Sequence, residues 1–154
     1  MKNNPFLLLL FCGALFFSAC SSDDDDTPSE DEMLQNKRWQ ITALQASTPF
    51  GNLDLYEDFE DCQRDNFVEF KANGVLEVNE GATKCNNSDP QQTQGTWSLS
   101  GGVLTISGIG DAYGLPDDDL EITVTSLTSS KLDGEFTESI SGISIDGTVT
   151  LETM

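Results

Sequence analysis

Few side chains in this 154-residue chain are suited to chemistry. There is no histidine, so the side chain that most readily carries a proton near neutral pH is missing. No Gly-x-Ser-x-Gly turn and no glycine-rich phosphate loop occurs. The thiols are Cys12, Cys20, Cys62 and Cys85. With no histidine to serve as base or ligand, neither a catalytic thiol nor a metal pair is supported for Cys62 and Cys85. Carboxylates are abundant: Asp54, Glu57, Asp58, Glu60 and Asp61 crowd one segment, and Asp117, Asp118 and Asp119 another. A cation site would need ordered spacing of the EF-hand kind, which is absent, so both clusters read as solvated acidic faces. The reading is a protein that is not an enzyme, with no catalytic residue, no metal set and no cofactor. A net charge of −20 leaves nothing to neutralise phosphates, which excludes nucleic acid and polybasic attachment to anionic lipid.

The other chemistry lies at the N-terminus. Lys2 precedes a nearly unbroken apolar run from Phe6 to Phe17. At 12 residues the run matches a signal-peptide core and falls short of the roughly 20 residues of a spanning helix. The sequence Phe17-Ser18-Ala19-Cys20 resembles the lipobox of bacterial lipoproteins. The resemblance implies removal of residues 1–19 and acylation of Cys20 on its sulfur and its new amino group. Several acyl chains on one cysteine give stable membrane attachment, because each buried methylene contributes about 0.8 kcal/mol. Residues 21–32 carry no apolar side chain except the ring of Pro28. Such a segment cannot offset its ordering entropy by burial, and is expected to be a disordered acidic spacer reaching about 40 Å. Ser22, Asp23, Asp24, Asp25 and Asp26 are similar to the surface-export signal of Bacteroidota lipoproteins. That implies a lipid-anchored outer-membrane protein exposed at the cell surface, or facing the periplasm if the signal is not read. In such an oxidising compartment, with Cys12 removed and Cys20 lipidated, the even pair Cys62 and Cys85 reads as a disulfide.

The remaining residues, 33–154, make one domain that must position whatever binds. Short apolar runs alternate with polar residues and are separated by Gly, Asn, Asp and Ser. The pattern predicts eight strands near 38–45, 66–71, 75–80, 95–100, 103–108, 119–126, 131–138 and 147–152, with a short extra pairing from residues 140–146. A Gly101-Gly102 turn sets Leu99 opposite Leu104 and Trp97 opposite Ile106. A three-residue loop, Ala72-Asn73-Gly74, sets Phe70 opposite Leu76 and Val68 opposite Val78, and brings Cys62 near Cys85. A meander of this kind should close into a small up-and-down antiparallel barrel, since closure removes exposed edges. The long connection 46–65 carries Leu55, Tyr56 and Phe59 at helical spacing, which predicts a short lid helix or loop over one barrel end. A second long loop spans 107–119.

The order of motifs resembles the lipocalin-like domain of many Bacteroidota lipoproteins. It runs from Trp39 in the first strand through Cys62, the aromatic strand with Phe70 and the Asn73-Gly74 turn. Cys85, Gly95-Thr96-Trp97 and the Leu-Thr-x-Ser-x-Leu segment ending at Leu132 follow. Lys37 stands where lipocalins have a glycine two residues before that Trp. The resemblance implies an all-β, lipocalin-like barrel that binds a small hydrophobic molecule. Trp39, Phe70, Trp97 and Phe136 are predicted to face inward, either as an aromatic-lined pocket or as a filled core, and the filled core is favoured. Two functions follow: binding of a small apolar or amphipathic molecule, or a filled barrel acting through its loops on a protein or glycan. The sequence names no protein partner beyond the membrane reached through Cys20.

Overall fold

A computed structural model describes residues 28–109, 119–140 and 143–154. The signal segment 1–19, the lipidation residue Cys20, the export residues Ser22 to Asp26 and most of the 107–119 loop lie outside the described residues.

The alternation of the sequence becomes nine antiparallel strands. They are β1 (Arg38–Thr48), β2 (Gly51–Asp54), β3 (Phe67–Phe70), β4 (Val75–Asn79), β5 (Gln92–Ser100), β6 (Val103–Ser107), β7 (Leu120–Leu127), β8 (Lys131–Ile140) and β9 (Ile143–Thr153). Strands β3 to β9 pair in chain order, and β9 pairs back onto β1, closing an eight-stranded barrel. The ninth strand, β2, is a hairpin partner of the far half of β1. Both hairpin registers match expectation: Leu99 faces Leu104 and Trp97 faces Ile106, while Phe70 faces Leu76 and Val68 faces Val78. In the second turn Asn73 and Gly74 both take positive φ, 61° and 73°. Glycine tolerates that region freely and Asn better than most residues. The extra pairing near the C-terminus is the continuation of the β8–β9 hairpin, which runs to Ile140 opposite Ile143.

Two short helices depart from expectation. Residues Glu30–Leu34 form helix α1, although the acidic spacer was expected to run to residue 32. Ser29 and Glu32 satisfy each other's orphan backbone donors in a capping box, and Leu34 becomes fully buried. Burying a leucine contributes about 1.5–3 kcal/mol, which with the capping hydrogen bonds offsets part of the cost of ordering the turn. The lid helix expected at 55–59 is also displaced, to α2 (Asp61–Arg64). The Asp54 carboxylate accepts from the amides of Tyr56 and Glu57, fixing turns where the helix was expected. Helix α2 starts later, from a capping box between Glu60 and Gln63.

The segment between β2 and β3 seals the wall rather than capping an end. Strands β1 and β3 pair only at Arg38 and Trp39. Beyond that point the amides of Leu55 and Tyr56 donate to the Leu44 carbonyl, and the Gln40 side chain donates to the Arg64 carbonyl. One barrel end collects the tight turns and α1; the other collects the β1–β2 and β8–β9 hairpins. The packed core draws on side chains from Leu34 to Leu151, so its described members need nothing before residue 28.

Candidate functional site

The four inward aromatics separate into two environments. Trp39, Phe70 and Trp97 are 1%, 0% and 6% exposed. Phe70 and Trp97 meet edge to face with centroids 5.3 Å apart. Each indole is tied to a carbonyl near the turn-rich end: Trp39 Nε1 donates to Leu34 at 2.8 Å, and Trp97 Nε1 to Lys71 at 2.9 Å. Lys37 donates to the carbonyls of Met33 and Ser129 and lies 6.0 Å from the centroid of the Trp39 ring, adding to the closure. These three aromatics are core, as the filled-core reading had it. Phe136 differs. It is half-buried and sits toward the open end.

There the inner face is built from small and apolar residues in register. Phe136 pairs with Gly147, Gly147 with Ala46, and Ala46 with Leu53. A Cβ on Gly147 would come within 2.2 Å of the Phe136 ring, so the ring lies directly on the glycine backbone. One step toward the rim, Ile145 pairs with Glu138. Burial alternates along β8, with Leu132 buried and Phe136 and Glu138 half-buried against exposed Glu135 and Thr137, which places Glu138 on the inner face. A depression of about 510 Å3 opens beside this row, lined by Thr48, Phe50, Asn52, Leu53, Ile143 and Ile145 among others. Phe50 is 91% exposed, Leu53 52% and Ile143 45%. A second depression, of about 660 Å3, takes in Ala46, Phe136 and Gly147 together with Glu121, Thr123, Glu135, Thr137 and Thr148, which alternate to the polar outer face of the same strands.

Cys62 and Cys85 are joined in a disulfide. It ties α2, ahead of β3, to the loop that follows β4. The Asp65 carboxylate holds the same two segments by accepting from the amides of Ala82 and Thr83 at 3.0 and 2.9 Å. Glu60 lies beside the two sulfurs, but sulfurs bonded to each other offer no thiolate to a metal. Asp54, Glu57, Asp58, Glu60 and Asp61 are exposed. On the outer wall Lys71 and Arg38 both reach Glu69; the hydrogen bond from Lys71 leads in holding the Glu69 carboxyl below its ordinary range.

Sequence reasoning placed Phe50 and Leu53 in a connecting loop and missed that they shape the mouth. Pro49 and Gly51 were the available turn signal. They bracket Phe50 between two polar-apolar stretches, and so mark a hairpin. Gly147 and Ala46 carry no signal of their own, because their importance lies in the partners that face them.

A family model described as a lipocalin-like domain matches residues 36–134. No curated protein matches. Among solved structures, a lipocalin-like protein from Bacteroides uniformis is 19% identical, with 79% of this chain and 99% of that chain covered, at a TM-score of 0.46. A bovine odorant-binding protein in complex with a selenium-containing odorant is 10% identical, with coverage of 86% and 78%, also at a TM-score of 0.46.

Proposed function

The chain belongs to the lipocalin-like domain family, and from that premise we propose a non-enzymatic protein that binds a small apolar or amphipathic molecule at the open end of its barrel. The observation that carries the reading is the contrast along the barrel. Trp39, Phe70 and Trp97 pack the turn-rich end, while Phe136, Leu53, Ile143 and Ile145 leave an apolar surface at the mouth. A volume of about 510 Å3 falls in the range of small-molecule sites, roughly 300–1,000 Å3. The mouth is apolar with few polar groups, which suits an aliphatic body.

The proposal extends to location. The protein is anchored through acyl chains on Cys20, in the outer membrane, with Asp23 to Asp26 directing it to the outer surface. The support is the sequence pattern of the first 26 residues. Because α1 lies at the turn-rich end, an anchor ahead of it leaves the mouth at the end away from the chain's entry. A second reading takes the same tip as a contact for a protein or glycan, favoured by the near-complete exposure of Phe50.

Calorimetric titration of residues 28–154 with 1-decanol tests the first reading. Saturable binding that Leu53→Asp abolishes is expected, with the fold intact because Leu53 is half exposed. Absence of saturable binding, with mass spectrometry of the native protein showing no co-purified small molecule, favours the second. Labelled palmitate incorporated at Cys20 tests the anchor.

A further inference from the structure

We infer that the mouth selects a cationic amphiphile, one with an aliphatic body and a positively charged head, over neutral or anionic ones. The inference rests on the proposal that the mouth binds a small molecule, and adds the charge of its head group.

The geometry has two parts. The aliphatic body has its surface on Leu53, Ile143 and Ile145, which line the depression, with half-buried Phe136 one step deeper. Directly across from Ile145 is Glu138, a half-buried carboxylate on the same inner face. Cross-strand neighbours stand about 4.5–5.5 Å apart at Cβ, so a molecule lying on Ile145 reaches the carboxylate with its head. Among the described residues no side-chain donor reaches Glu138.

The surroundings are complementary to a cation as well. Residues 45–54 and 135–148 hold Asp54, Glu135, Glu138 and Asp146, and no Lys or Arg. The six cations of the domain are committed elsewhere. Lys37 is held by carbonyls at the turn-rich end, and Arg38 and Lys71 by Glu69. Arg64 lies over the Tyr56 ring and donates to the Phe59 and Glu57 carbonyls. Lys84 is held within its own loop, and Lys131 by Asp133. An anionic head group at the rim would meet carboxylates with no cation to screen them, whereas a cationic head finds Glu138. Contact between unit charges at a partly exposed site lies between the water and near-surface limits of Coulomb's law, which supports about a tenfold preference.

The experiment compares three probes with one tail length: decyltrimethylammonium, 1-decanol and decanoate. Each is titrated calorimetrically below its micelle concentration into residues 28–154. The cation is expected to bind at least tenfold tighter than decanoate, with decanol between. Glu138→Gln should cut the cation-to-anion ratio at least fivefold and leave decanol within twofold. Glu152→Gln removes an equal charge from the exposed outer face near the turn-rich end and should change the ratio less than twofold. Glu138→Lys should reverse the preference. If the two Gln variants shift the ratio equally, the effect is that of the net charge and the inference is overturned, while decanol binding keeps the mouth as a small-molecule site. If decanol fails to bind as well, that site itself falls, and the inference with it.

Discussion

Opening the Cys62–Cys85 bond should lower the melting temperature by about 13 °C without changing the folded structure. The bond joins residues 23 apart in sequence. Loop closure over that length removes about 11 cal/mol/K from the unfolded chain, or about 3.4 kcal/mol at 25 °C. A domain of roughly 125 residues unfolds with an entropy of about 260 cal/mol/K, which converts that loss to about 13 °C. The structure says where the loss falls. Asp65 still accepts from the amides of Ala82 and Thr83 when the sulfurs part, so the two segments keep their places in the folded state. The penalty then belongs almost wholly to the freed unfolded chain. The assay is a thermal melt of residues 28–154 with and without a phosphine reductant, beside Cys62→Ala/Cys85→Ala, with near-ultraviolet dichroism at 25 °C. A fall below 4 °C in both samples would refute the loop-entropy argument. A large fall accompanied by altered dichroism would refute the claim that Asp65 preserves the folded geometry.

Three further predictions bear on the barrel. Gly147→Ala should destabilise by about 1–3 kcal/mol in urea titration, because its Cβ falls 2.2 Å from the Phe136 ring; Phe136→Leu in the same chain should recover part of the loss. Leu34→Ala should cost about 2–5 kcal/mol and expose Trp39 to collisional quenching, since Leu34 is fully buried and its carbonyl holds the Trp39 indole. The third concerns pH. The hydrogen bond from Lys71 keeps the Glu69 pKa below its unfolded value, so its contribution is present above that unfolded value and fades as pH falls through the folded one. Glu69→Gln should therefore narrow its stability deficit against the parent between pH 5 and pH 2, as read from urea midpoints. The difference between the two proteins is the informative quantity, because acid also relieves the repulsion of a −20 chain.

The barrel was legible because its information is local and periodic. Alternation located all eight barrel strands, and the Gly101-Gly102 and Ala72-Asn73-Gly74 turns set registers that placed Trp97, Leu99, Phe70 and Val68 on one face. The errors arose where short-range hydrogen bonding competed with periodicity. Ser29 and Glu32 ordered a turn that composition read as spacer, and Asp54 broke a helix that the spacing of Leu55, Tyr56 and Phe59 suggested.

The candidate site was much less legible. Sequence could mark Trp39, Phe70, Trp97 and Phe136 as inward and weigh a filled core against a pocket. Only the closed barrel showed three of them packed under α1 and the fourth left near the mouth. Likewise Gly147, Ala46, Leu53 and Glu138 acquire meaning from partners as far apart along the chain as Ala46 and Gly147. From its own order of residues the chain determined the positions of the eight barrel strands, the hairpin registers and the pairing of its two domain cysteines. Which end of the barrel is packed and which stays apolar and open were decided by closure, as was the inward placement of Glu138 near that rim. The reason is physical: alternation assigns a side chain to a face, but free space on that face depends on what the opposite strands bring to it.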